Sequence, residues 1–332
     1  MTERRLDVRE LLESGAVIWS VVIVVLVFAL SRSHDFRTAD NLSNLSRQFA
    51  VLALVSLGQL LVVIAAGVDL SLATNVRLGA IAAAIVMGGN DARLVLGILA
   101  ALGVGLAVGA FNGLVVTRLR IEPFITTLGT SALLGGLSLY VASTPQGRSA
   151  PALNSFYGWK VGPLFGVVVL VAVVWLATGF ALRRTAWGRH VYAVGGDAAV
   201  ARLSGIRVRS VQASVFIVSG LLGGVAAVIT LASAGVGDPA SASGLEFDSL
   251  AAVVIGGASL SGGRGRLSGA LGGVVLFSIL GNVFNLLQVD IWYQQLTRGL
   301  IILIAASLVV ARRSGPRSAP RSRLHSTAAT HP

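Results

Sequence analysis

Asp69 is the residue with the clearest chemical potential. It stands in Gly67-Val-Asp-Leu-Ser71, between two long apolar runs. A carboxylate there can bind a proton or an ion within a membrane. It can also accept hydrogen bonds from the N–H groups that begin the next helix. Capping is the more ordinary use, and it is the favoured expectation. With Ser71, and with Phe124, Thr126 and Thr127 just after Pro123, Asp69 forms the group of candidates for a helix break or a pathway. Asn282, Asn285 and Gln288 share one helical stripe. Such amides either bond neighbouring helices or line a polar path, and packing is the more frequent use. Gly262-Gly-Arg-Gly-Arg266 resembles a phosphate cradle only in composition, and its spacing fits no nucleotide fingerprint. The single lysine, Lys160, lies in Gly158-Trp-Lys-Val, so no Walker A loop exists. No cysteine is present, which excludes disulfides and thiolate metal sites. Of the four histidines, two fall in the C-terminal tail, His34 lies between apolar runs and His190 lies in a polar stretch. No apolar run holds a nucleophile paired with a base, so neither an enzyme nor a metal site is expected.

The elements that must position these residues are membrane spans. The chain has 332 residues, 55% of them hydrophobic and only 12% charged, with a mean hydropathy of +0.82. That composition predicts an all-α polytopic membrane protein. About ten transmembrane helices follow from the apolar runs, some of them short or broken: 15–30, 48–66, 76–87, 94–116, 123–141, 163–182, 211–233, 250–258, 268–287 and 296–310. The first is read as a span and not as a signal peptide, since no small-residue cleavage site follows it. The eighth reads as a half-span continuing from Phe247. Gly105, Gly109 and Gly113 in the fourth, and Gly220 and Gly224 in the seventh, are stripes for close helix packing. Arg77, near the start of the third, must either snorkel or meet Asp69. Residues 1–14 form an N-terminal segment, 15–310 the transmembrane domain, and 311–332 an Arg/Ser/Pro-rich tail expected to be disordered.

The longest polar interruption is Arg183 to Arg209, with six arginines; the loop is taken as 183–210. It reads as a loop holding a short helix over Asp197 to Leu203, capped by Asp197 and stopped by Gly205. The net charge of +12 would point to nucleic acid in a soluble protein. Here the basic residues lie between apolar runs, so topology explains them and membrane lipid is the surrounding partner, with no nucleic acid. With ten spans, nineteen of the twenty-six basic residues fall on the side of the termini and the arginine loop, and seven on the other. The positive-inside rule then makes both termini and that loop cytoplasmic. A nearly uncharged membrane body with a cytoplasmic handle implies that energy arrives from a partner.

Four motifs in order resemble the permease subunits of bacterial ribose-type ABC importers, the family that also serves xylose, galactose and autoinducer-2. Ala66-Gly-Val-Asp-Leu-Ser71 is similar to its Gly-Gly-Ile-Asp-Leu-Ser, and Pro123-Phe-Ile-Thr-Thr-Leu-Gly129 to its Pro-x-Phe-Ile-x-Thr-Leu-Gly. The stretch from Thr185 to Ile206 resembles its cytoplasmic coupling segment. The run from Phe247 to Gly265 resembles its late signature. The resemblance covers about 44–308. It implies that Gly188, Arg189, Ala193, Gly195, Ala199, Arg202 and Gly205 contribute to a loop that docks on a cytoplasmic ABC ATPase, which itself binds ATP and Mg. It also implies a second permease subunit, identical or related, and an extracytoplasmic sugar-binding protein. The location implied is the bacterial cytoplasmic membrane, and the cargo a monosaccharide such as ribose. Two departures stand out: Leu72-Ala-Thr74 followed by Arg77 where the family continues with Val-Gly-Ser, and Glu122 before Pro123. An ion-coupled carrier using Asp69 is the alternative, marked by loss of transport in Asp69→Asn at intact expression.

Overall fold

The computed structural model describes residues 16–32, 35–162, 164–290, 292–297, 299–300 and 303. The N-terminal segment, the tail at 311–332 and most of the tenth expected span lie outside the described residues. The described chain is mostly helical, with two two-residue strands, Lys160–Val161 and Leu164–Phe165, paired as a small hairpin. The helices are α1 (Ala16–Arg32), α2 (Ala39–Ile64), α3 (Leu72–Met87), α4 (Leu94–Leu114), α5 (Pro123–Val141), α6 (Pro151–Gly158), α7 (Val167–Arg184), α8 (Ala186–Gly196), α9 (Ala198–Leu203), α10 (Val208–Ala234), α11 (Leu245–Ile255) and α12 (Leu267–Leu286). A π-helical turn, Val115–Leu119, extends α4. Among the described residues, six helices are long and apolar enough to cross a membrane: α2, α4 with its extensions, α5, α7, α10 and α12. The two shorter apolar helices are α1 and α3.

Local chemistry sets several boundaries. Thr38 starts α2 by accepting a hydrogen bond from the Asn41 N–H at 3.2 Å. Helix α2 therefore begins nine residues before the apolar run does, and its polar first turns bury Asn41, Ser43 and Ser46. Pro123 opens α5 at the position where its missing N–H costs nothing. The expected boundaries of that span, 123–141, are the observed ones.

The centre of the bundle is α2, α3, α4 and α10, which pack on one another. Leu54, Leu57, Leu60, Leu61, Ile64, Leu72 and Ile81 are fully buried there. The two glycine stripes face each other. A Cβ added at Gly105 would collide with the Gly220 carbonyl, and one at Gly109 with the Phe216 carbonyl. Backbones this close need glycine on both helices, and in lipid such dispersion contacts drive association. Helices α1, α5 and α7 turn apolar side chains outward, among them Val24, Leu133 and Leu176. In water such a surface would be a liability; against hydrocarbon it is the required one. The chain is a multi-pass membrane protein.

Candidate functional site

Between α2 and α3 the chain leaves helical geometry. The Gly67 N–H closes back on the Val62 carbonyl at 2.9 Å. Ala66 adopts a left-handed conformation, φ 63, which costs a residue with a Cβ roughly 1–2 kcal/mol. The turn delivers Asp69 to the interior, where it is 1% exposed. Its Oδ1 accepts from the Ser71 N–H at 3.0 Å and from the Ser71 hydroxyl at 2.6 Å. Its Oδ2 accepts from the Ser219 hydroxyl of α10 at 3.2 Å. The Ser71 hydroxyl also accepts from Asn112 Nδ2 of α4 at 2.8 Å, and Asn112 Oδ1 accepts from the Thr130 hydroxyl of α5 at 2.7 Å. Thr127 accepts from the Leu70 N–H at 3.1 Å and donates to the Val68 carbonyl at 3.0 Å. One irregular turn is thereby stitched to three helices by neutral partners. Asp69 supports the start of α3 through Ser71, the residue preceding the helix.

Arg77 does not meet Asp69. Its guanidinium donates to the Ser241 carbonyl at 3.1 Å and the Ser243 hydroxyl at 2.9 Å, in the loop after α10.

The other sequence candidates separate. Thr126 is buried beside Thr127, whereas Phe124 is largely exposed. Asn282 exchanges two hydrogen bonds with Asn41, at 2.9 and 2.8 Å, and so ties α12 to α2. Asn285 and Gln288 are exposed. Asn112 and Ser219 escaped sequence reasoning because each is a lone polar residue in an apolar run, and Thr130 because it falls one position past the Pro123–Gly129 motif. Gln59 escaped too. It is fully buried, and neither amide atom has a hydrogen-bond partner among the described residues. A buried amide left unsatisfied costs about 1–3 kcal/mol. Gln59→Met is therefore expected to raise the melting temperature in detergent. A shift of zero or below would mean that the amide is satisfied in the folded protein.

The arginine stretch contains two helices. The expected one is α9, where Asp197 accepts from the Ala199 and Val200 N–H groups at 2.8 and 3.0 Å. Gly205 follows it with φ 81, a conformation that favours glycine. The unexpected one is α8, capped by Thr185, whose hydroxyl accepts from the Gly188 N–H at 3.2 Å. Val191 and Val194 are buried on its inner face. With Trp187 they recur at helical spacing, the signal that could have revealed it. The Trp187 indole donates to the Ser214 hydroxyl of α10 at 2.8 Å. The Tyr192 hydroxyl donates to the Gly265 carbonyl at 2.7 Å. Burial pushes its phenol pKa up, against the pull of Arg183 and Arg266, and keeps it a donor.

Gly188 and Gly195 serve packing within the chain. A Cβ on Gly188 would strike the Leu182 backbone, and one on Gly195 the Ile64 carbonyl. The Gly263 N–H also donates to that carbonyl, at 2.8 Å. The α8 terminus, the glycine-rich loop before α12 and the end of α2 thus meet at Ile64, three residues before Gly67. Arg189, Ala193, Ala199, Arg202 and Gly205 are exposed. Leu203 projects furthest, 89% exposed, beside an exposed Val200.

A family model described as "Branched-chain amino acid transport system / permease component" matches residues 41–306. The Ribose import permease protein RbsC of Escherichia coli (strain K12) is 36% identical over 301 residues, covering 89% of this chain and 92% of that protein. The protein of the same name from Bacillus subtilis (strain 168) is 34% identical, over 89% of this chain and 91% of its own length. The D-allose transport system permease protein AlsC of Escherichia coli (strain K12) is 33% identical, covering 87% and 89% respectively. No solved structure matches the chain.

Proposed function

The chain belongs to this family of transport-system permease components, and on that premise we propose that it is the membrane subunit of an ATP-driven importer of ribose or a related small sugar. The observation that carries the reading is the α8–α9 pair. It is docked on the end of α2 and presents a compact exposed surface of Arg189, Ala193, Ala199, Arg202 and Leu203. In this reading the surface seats on a cytoplasmic ABC ATPase, which binds ATP and Mg. A second permease subunit completes the pathway, and an extracytoplasmic binding protein delivers the sugar. The chain crosses the bacterial cytoplasmic membrane about ten times, with both termini cytoplasmic. Nothing in this reading calls for nucleic acid or for catalysis by this chain.

The family description speaks of branched-chain amino acids, while the relatives compared above are named for ribose and allose. Identity of 33–36% over nearly the whole chain favours sugar. The test co-expresses the tagged chain with its neighbouring genes and follows both co-purification and uptake of ribose, allose, fructose and leucine. The expected result is a co-purifying ATPase and uptake of one of the sugars. Uptake of leucine alone would replace the sugar, and a preparation without any ATPase would end the ABC reading. Leu203→Asp places a charge on the most exposed apolar residue of α9. It is expected to cut ATPase recovery at least about tenfold, since a charge buried without a partner costs several kcal/mol. Undiminished recovery would move the contact elsewhere.

The ion-coupled alternative rests on Asp69. The hydroxyl and N–H partners around that carboxylate support a positioning role over ion binding.

A further inference from the structure

A cavity of about 390 Å³ opens between the N-terminal half of α2, the end of α10, α11 and the second half of α12. Its place in the bundle is informative. Arg47, Gln48, Val51 and Leu52 line it, and α2 ends at Ile64 against Gly195. At 1.5 Å per residue the cavity lies about 18–26 Å from that contact, toward the opposite face of the membrane.

The lining mixes apolar walls with polar groups, and its two charges balance. Arg47 supplies one positive charge and Asp248 one negative charge, and Gln48, Ser233 and Ser278 add neutral hydrogen-bonding groups. The Arg47 guanidinium also sits over the Tyr157 ring, 5.8 Å from its centre. Asp248 is 8% exposed. Ser278 is 3% exposed, and its hydroxyl has no hydrogen-bond partner among the described residues. A buried hydroxyl beside a cavity, left without a partner, is the expected trace of a site that hydrogen-bonds something else. The ring of Phe277 forms an apolar wall.

A net charge of zero favours neither an anion nor a cation. Donors and acceptors together, with one aromatic wall, suit a neutral polyol whose hydroxyls both donate and accept. The volume falls at the lower end of the roughly 300–1,000 Å³ typical of small-ligand sites. We infer that this cavity is a monosaccharide-binding vestibule, with Arg47, Gln48, Asp248 and Ser278 bonding sugar hydroxyls and Phe277 covering a carbon face. The inference rests on the sugar-import reading and gives that reading an internal site.

The chain contains no cysteine, so Ser278→Cys creates a single thiol by a near-isosteric change. The permease–ATPase complex carrying it, in lipid nanodiscs, is treated with a charged methanethiosulfonate reagent with and without D-ribose, D-allose, D-fructose or leucine. The transported sugar is expected to slow modification about fivefold at four times its Kd, because only a fifth of the cavities are then empty; leucine is expected to leave the rate unchanged. Modification that no sugar slows, or a thiol that never reacts, overturns the vestibule. If Ser278→Cys does not assemble, Gln48→Cys at the partly buried edge of the same cavity gives the same readout. Uptake by the unsubstituted complex is measured in parallel. Uptake of a sugar with no protection sinks the vestibule alone, whereas uptake of no sugar sinks the import reading itself.

Discussion

Gly195→Val is expected to reduce sugar uptake to below about one hundredth of the parent rate while the chain still inserts in the membrane. The added side chain would occupy the place of the Ile64 carbonyl and crowd the Gly263 N–H bonded to it. Overpacking of this kind costs about 1–3 kcal/mol, enough to lift the end of α8 from α2 while leaving the buried bundle intact. Coupling between distant sites needs a contiguous element with two arrangements, and this contact joins α8, the helix proposed to seat on an ATPase, to the α2–α3 turn. Gly196→Ala provides the control, since a Cβ there meets nothing within 4 Å. The measurement is uptake in proteoliposomes together with ATP hydrolysis at matched protein level. Hydrolysis should persist at a basal rate that substrate no longer stimulates. Normal uptake by Gly195→Val would remove this contact from the transmission route.

Asp69→Ala is expected to be nearly as damaging, by a different route. It orphans three donors at once: the Ser71 N–H, the Ser71 hydroxyl and the Ser219 hydroxyl. Each buried group left unpaired costs about 1–3 kcal/mol, and the sum is comparable to the whole stability of many proteins. The folded yield in detergent should fall to a small fraction of the parent's. Asp69→Asn retains an amide oxygen for Ser71 and should keep uptake within about threefold, a loss below 1 kcal/mol. Uptake should also be indifferent to a protonophore. A chain that tolerates Asp69→Ala but loses transport as Asp69→Asn would reverse the assignment and make the carboxylate an ion site.

Much of this was legible in the sequence where one residue type has one dominant use. Pro123 marked the start of α5, and Asp197 with Gly205 bracketed α9. The glycine stripes of α4 and α10 were readable as packing surfaces within each helix. That they pack on each other is a long-range fact, which periodicity does not encode. The same holds for Asn282, whose partner Asn41 lies 241 residues away. The early start of α2 was hidden because its first turns are polar and bury their polar groups by pairing. Helix α8 was hidden by the arginines around it, which drew attention to charge and away from the Trp187, Val191 and Val194 spacing. The site residues Asn112 and Ser219 had no local signature; only the turn that carries Asp69 between helices gives them a role.

Helix α11 has 11 residues, about 16 Å of length against a hydrocarbon layer of about 30 Å. Its backbone is pressed on α12: side chains added at Gly269 and Gly273 would strike the Gly256 and Ala252 carbonyls. Such a segment is too short to partition into lipid alone as it leaves the ribosome. It must wait at the interface until α12 has been synthesised, and the two then enter as one antiparallel pair. Biogenesis of the C-terminal quarter is therefore expected to be cooperative, with Gly273→Leu acting before any substrate is met. It is a defect of insertion, visible as rapid proteolysis of newly made chains and not as slow transport by mature ones.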